Sequence, residues 1–400
     1  MKPPRAQRAD ELRRVASLVA AGLATVLVAG PALGVAATFV PDVPYLGLAT
    51  AFVPPVMSWA IVLALAGGAL AGYLWFRRRG PFSATLVVMA VLTVAGGSVV
   101  TARMVAAVEN AGADIDLVET FGFWSKPTVE PDVEATYATF DGEPLRLSIY
   151  RPPAADSAPV LVFIHGGGFI AGSRDVHGPD FRWFADRDWL TISIDYALSS
   201  AGQHLWDVVD QQIGCALAWV TTNAPTYGGD PTRLSLSGDS AGGNLAIDTA
   251  YMAANGTLRS SCGGPRPVVS AVSALYPVVD PAGFYDNSDP ALGAVSRDMA
   301  GAYTGGSPRE FPQRYVAIAS ATHISLAAAP TLILMGAADH LVPTGGTYRF
   351  ADQARAVGVD VELVAVPYAD HVFDGRSGSI GQQAYRQLTA KWLRDHGQAP

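Results

Sequence analysis

The sequence predicts an α/β fold with a mostly parallel sheet, preceded by about three membrane-spanning helices. Three observations predict it. The first hundred residues hold long apolar tracts without charge, and the remainder alternates short β-branched runs with helical patterns. A glycine-rich turn also falls between one such run and a helix.

The apolar tracts come first. Residues 15–40, 45–76 and 80–102 contain no charged side chain. Each is long enough for a bilayer core, which takes roughly 20 helical residues. They predict helices near 15–38, 53–76 and 82–103. Pro54 and Pro55 fall where the second helix begins, the position at which a missing N–H costs least. Gly96, Gly97 and Ser98 make the third tract the weakest. The first tract alone also fits a cleaved signal peptide with small residues near Ala36. Two further apolar tracts behind it favour an anchor.

Charge divides the chain and sets its orientation. Residues 1–103 carry nine Lys/Arg against three Asp/Glu, whereas the rest carries eighteen against thirty-two. An acidic remainder excludes nucleic acid as its partner. Lys2, Arg5, Arg8, Arg13 and Arg14 precede the first helix, and Arg77, Arg78 and Arg79 separate the second from the third. The positive-inside rule then puts the N-terminus and the arginine triplet in the cytoplasm of a bacterial-type cell. Three crossings put everything beyond about residue 104 outside it. Tyr73, Trp75 and Phe76 fit an interfacial aromatic belt.

Three regions follow: a membrane region over 1–104, a linker over 105–131 and an α/β domain over 132–400. The linker is acidic, with Phe121, Phe123 and Trp124 as anchors and Pro127 and Pro131 as breaks. Eight strands are expected at 134–140, 145–150, 160–164, 189–195, 233–236, 268–275, 331–335 and 361–366. Helical patterns fall at 205–222, 243–254, 347–357 and 382–395. Residues 277–330 are too many for an ordinary connection and read as a helical lid over the sheet's C-terminal edge. Cys215 lies in an apolar helical stretch and Cys262 in a loop. A disulfide, or a buried apolar cysteine plus an unrelated thiol, are equally compatible with that pair.

The chemistry concentrates in Gly238-Asp239-Ser240-Ala241-Gly242, between the expected strand at 233–236 and the helix after it. G-x-S-x-G in that context is a nucleophile elbow, a strained turn that exposes the serine hydroxyl above a parallel sheet. His165-Gly166-Gly167-Gly168-Phe169, after another apolar strand, is the loop type that supplies oxyanion-hole amides. The donors should be the amides of Gly167, Gly168 and Ala241. His165 reads as an orienting residue of that loop. Asp239 reads as holding the elbow through backbone amides or a nearby arginine.

A serine hydroxyl needs a base, and the base needs an orienting carboxylate. Of the four histidines beyond Ser240, His371 stands in the loop after the strand at 361–366, where a base belongs. Asp339 lies at the tip of the strand at 331–335 and is the expected acid. Asp370 is a rival, but its adjacency to His371 makes alignment difficult, and a capping or turn role suits it better. No H-E-x-x-H, C-x-x-C or G-x-G-x-x-G occurs, so neither metal nor cofactor is expected.

Taken together, these motifs resemble the hormone-sensitive-lipase-like, or fold-3, carboxylesterases of the α/β-hydrolase class. The resemblance spans about residues 133–393 and includes Asp195-Tyr196, Tyr227-Gly228-Gly229-Asp230-Pro231 and Tyr276-Pro277 with Asp280. It implies Ser240 as nucleophile, Asp339 as acid, His371 as base and Gly167, Gly168 and Ala241 as oxyanion donors. Residues 197–201 depart from the family's usual arginine-leucine-alanine-proline-glutamate run in a segment that shapes the pocket. The resulting expectation is a membrane-anchored esterase for short-to-medium acyl esters, with an envelope lipid or surface glycan ester as substrate. Amide chemistry on the same triad, as in a formamidase or peptidase, is the alternative. A membrane scaffold or channel is disfavoured because residues 15–102 carry only Asp42 and the arginine triplet as charges.

Overall fold

The computed structural model describes residues 4–122, 129–153 and 157–400. Phe123, Trp124 and Pro127 lie outside the described residues. The N-terminal region contains α1 (Pro4–Ala37), the short α2 (Ala49–Phe52), α3 (Met57–Arg78) and α4 (Pro81–Asn110). Three spans, Asp10–Ala37, Ala49–Arg78 and Pro81–Asn110, are long and apolar enough to cross a membrane. The glycines that dilute the third tract do not interrupt α4. A Cβ on Gly97 would come within 2.9 Å of Ile61 Cγ1, and one on Gly67 within 2.8 Å of Leu27 Cβ. These small residues let the helices approach closely. α4 also runs to Asn110, past the expected end at 103, because Met104 and Val108 are buried in the core of the following domain.

That domain is an eight-stranded sheet. Its strands are β1 (Val133–Phe140), β2 (Glu143–Tyr150), β3 (Ala158–Ile164), β4 (Leu190–Ile194), β5 (Gly229–Asp239), β6 (Val269–Leu275), β7 (Thr331–Gly336) and β8 (Val361–Val366). The spatial order is β1-β2-β4-β3-β5-β6-β7-β8. β2 is antiparallel to both β1 and β4, and all other pairings are parallel. The helices of this domain are α5 (Gly178–Ala185), α6 (Val209–Asn223), α7 (Ser240–Ala254), α8 (Pro281–Tyr285), α9 (Gly293–Thr304), α10 (Pro312–Ala317), α11 (Thr344–Val357) and α12 (Ile380–Asp395).

Strand alternation sorts side chains onto two faces. Val160, Val162 and Ile164 join one core with residues of α6, α7 and α11. Leu161 and Phe163 join a second core with α5 and α12, and Met57 and Val100 of the N-terminal helices enter the same cluster. The apolar helices are thus seated against the sheet's second face. α5 is absent from the helical patterns read above: at eight residues it is too short to show a period. The disulfide alternative for the cysteines is the one realised, with Cys215 and Cys262 bonded.

The parallel register brings four chain ends to one edge. Ile164 pairs with Gly238, Gly238 with Ala274, and Gly336 with Val366. The loops after β3, β5, β7 and β8 therefore emerge together, carrying His165, Ser240, Asp339 and His371.

Candidate active site

Ser240 follows the central strand β5 and starts α7 with a φ of 53°, a left-handed conformation that strains a residue with a side chain. The helix expected over 243–254 thus starts three residues earlier, at Ser240. Such strain persists only where the surroundings impose it. Here Gly242 passes against the backbone of Ile164 and His165, where a Cβ would collide. The Ser240 Oγ lies 3.0 Å from His371 Nε2, and His371 Nδ1 lies 2.8 Å from Asp339 Oδ2. All three groups are largely buried, Asp339 to 2 % side-chain exposure. Asp339 Oδ1 in turn accepts from the amides of Leu341 and Val342, which fixes the carboxylate.

Burial would lower the His371 pKa. The charge of Asp339 and its hydrogen bond outweigh that and hold the imidazole above its usual value of 6.5. The ring of Tyr276 packs at 4.5 Å from that of His371, and its hydroxyl donates to Asp374 over 2.6 Å. This arrangement can abstract the serine proton through Nε2 while the ring stays oriented through Nδ1.

The glycine loop lies beside the serine. Gly167 and Gly168 have φ of 107° and 61°, and a Cβ on Gly168 would collide with the thioether of Met299 in α9. Only glycine fits there, and no hydrogen bond to protein is made by either amide among the described residues. Ala241 is in the first turn of α7, where amides lack an intrahelical acceptor. His165 is buried, stacks on Tyr196 at 4.3 Å and contacts the Gly166 carbonyl through Nδ1 at 2.7 Å. Burial lowers its pKa.

Asp239 takes the backbone-amide alternative of the two expected for it. It accepts from the Gly166 amide at 2.7 Å, so it ties the glycine loop to the elbow, but its cation is His177 rather than an arginine. His177 Nε2 is 3.8 Å from Asp239, and its Nδ1 is 3.3 Å from Asp180 and 4.0 Å from Asp374. Burial opposes its charge, yet the Asp180 and Asp239 carboxylates facing its two ring nitrogens raise its pKa well above the usual value. No sequence pattern marks His177, because its partners come from β5, α5 and the loop after β8. A cavity of about 390 Å³ opens here, lined by Gly166, Gly167, Val176, His177, Asp239 and Val372 among others.

Two further features escape the sequence. Phe169 stacks face to face on Tyr303 of α9, with ring centroids 4.0 Å apart. The 277–330 segment, which carries α8, α9 and α10, thereby packs onto the glycine loop. Asp370 is also not a spare acid. It accepts from the amides of His340 and His371 and pairs with the His340 ring.

The BD-FAE family matches residues 147–353. The chain belongs to the BD-FAE family. This is the hormone-sensitive-lipase-like branch of the α/β-hydrolases, whose chemistry is carboxylic ester hydrolysis. Among relatives of this BD-FAE protein, the probable carboxylic ester hydrolase LipM of Mycobacterium tuberculosis is 30 % identical over 249 residues, covering 61 % of this chain and 56 % of LipM. Carboxylesterase NlhH of the same species is 30 % identical over 250 residues, covering 60 % of this chain and 74 % of NlhH. The chain therefore spans little more than half of LipM. Among solved structures, Thermogutta terrifontis esterase 2 phosphoramylated by tabun superposes with a TM-score of 0.55 at 25 % identity, covering 69 % of this chain and 97 % of that one. The propionate-bound form of that esterase gives 0.55 at 27 % identity, covering 68 % and 96 %.

Proposed function

We propose that this BD-FAE protein is a membrane-anchored serine carboxylesterase that cleaves short-to-medium acyl esters through an acyl-enzyme. The observation that carries the reading is the unbroken relay from Ser240 Oγ to His371 Nε2 at 3.0 Å and from His371 Nδ1 to Asp339 at 2.8 Å. In the first half-reaction His371 takes the Ser240 proton as Oγ attacks the ester carbonyl. The amides of Gly167, Gly168 and Ala241 stabilise the oxyanion, and the imidazolium, stabilised by Asp339, returns the proton to the departing alcohol. Water then repeats the sequence on the acyl-enzyme, with His371 again as base, and releases the acid.

The acyl range rests on relatives. The Thermogutta esterase binds propionate, and a Pseudomonas putida relative, 30 % identical over 273 residues, is named an ethyl acetate hydrolase. Anchoring rests on the three apolar spans. Lys/Arg on the N-terminal and 77–79 segments, with a disulfide in the catalytic domain, fit a domain outside the cytoplasm. An envelope lipid or glycan ester would be within its reach there.

Turnover of p-nitrophenyl acetate and butyrate by the full chain tests the reading. Ser240→Ala should reduce kcat by at least about 10⁴-fold. Activity retained in that variant removes the assignment.

A further inference from the structure

The loop joining α1 to α3 touches the catalytic machinery. Thr50, in α2, is 1 % exposed and donates through Oγ1 to Asp370 Oδ2 over 2.7 Å. The same carboxylate oxygen meets His340 Nδ1, while His340 Nε2 lies 3.0 Å from the carbonyl of Pro41. Asp370 Oδ1 accepts from the amide of His340 at 2.9 Å and from that of His371 at 2.7 Å.

These five contacts meet at two adjacent pairs of residues. His340 directly follows the acid Asp339, and Asp370 directly precedes the base His371. The Asp370–His340 pair thus crosslinks the loop after β7 to the loop after β8, one residue away from the Asp339–His371 contact. Thr50 and Pro41 cap that crosslink from the membrane-facing region. The pair is charged at neutral pH, because the Asp370 hydrogen bond pushes His340 up to about 9. Burial raises the Asp370 carboxyl, but its bonds to His340 and Thr50 bring it below its usual value. Further ties reinforce the seat. Arg376 donates to the Pro55 carbonyl at 2.7 Å, and Arg103 of α4 donates to the Tyr368 hydroxyl at 3.1 Å.

We propose that the α1–α3 connection is part of the active-site scaffold, with Thr50, His340 and Asp370 acting as positioning residues that hold the acid and base loops in register. The helices are then more than a tether: seating of the membrane region sets the relay geometry. None of the three side chains is hydrogen-bonded to Ser240 Oγ or to the His371 ring. Their effect comes through the orientation of Asp339 and His371, where a displacement of about 1 Å can cost as much as 10²-fold in rate.

This proposal rests on the esterase reading, and the test separates the two. Full-length chain in detergent micelles is assayed with p-nitrophenyl acetate, with active sites counted by a fluorophosphonate burst. Thr50→Val, which keeps shape and loses the donor, should lower kcat per active site about tenfold, with KM unchanged. Thr50→Ser should restore it, and His340→Gln should give a loss of the same kind. Wild-type kcat in both Thr50→Val and His340→Gln overturns the proposal. So does a loss that Thr50→Ser fails to restore or that the active-site count explains. If Ser240→Ala retains activity, the esterase reading falls. If Ser240→Ala is inactive while Thr50→Val and His340→Gln are both fully active, only the scaffold proposal falls.

Discussion

At the residue scale, the behaviour of Ser240 depends on the imidazole beside it. His371 must be neutral to accept the serine proton, and Asp339 holds its pKa above 6.5. The acid limb of kcat/KM should therefore have its midpoint above pH 6.5, with activity lost as pH falls through it. Asp339→Asn removes the strongest influence that raises the pKa, leaving burial, which lowers it, against only the weaker pull of the Asp239 and Asp370 charges. The limb should move to lower pH while kcat drops by about 10⁴-fold. A pH profile of both proteins checks this, and an unmoved limb would count against Asp339 as the partner. The meeting of Ser240, His371 and Asp339 was legible in the sequence because chain order and strand ends restrict the candidates. His177 was not, since its partners Asp180, Asp239 and Asp374 converge only in the folded sheet edge.

At the element scale, β-branched and apolar runs made all eight strands readable, because buried parallel strands cannot hide their composition. Helix boundaries were less readable. α7 begins at Ser240 rather than at 243, since tertiary contacts impose a φ that local preference resists. α5 escaped because eight residues give little more than two turns of pattern. The Cys215–Cys262 bond lay open in the sequence for a similar reason: 47 residues separate the pair, and only folding sets their distance. That bond ties α6 to the loop before β6. Replacing both cysteines with serine should cost about 2–4 kcal/mol by urea denaturation of the full chain in micelles. Unchanged stability, with the same slope, would show that the bond contributes nothing to the fold.

On the scale of the whole molecule, the chain is asymmetric in charge and solvent. A basic N-terminal segment with three apolar spans carries an acidic hydrolase domain, and the two share one packed core through Met57, Val100, Met104 and Val108. Hydropathy made the spans legible, whereas their seating on the catalytic domain was not, because no pattern links Thr50 to Asp370. If the arginine triplet faces the cytoplasm, protease added to spheroplasts should digest the catalytic domain without lysis. Digestion only after lysis would reverse the orientation. Neither result bears on the chemistry, which has a more direct test. Reaction of the full-length protein with a fluorophosphonate, followed by peptide mass spectrometry, locates the nucleophile. One adduct is expected, on Ser240, and its formation should be at least about 10³-fold slower in His371→Ala. An adduct on another serine, or labelling of Ser240 at an undiminished rate without His371, would contradict it.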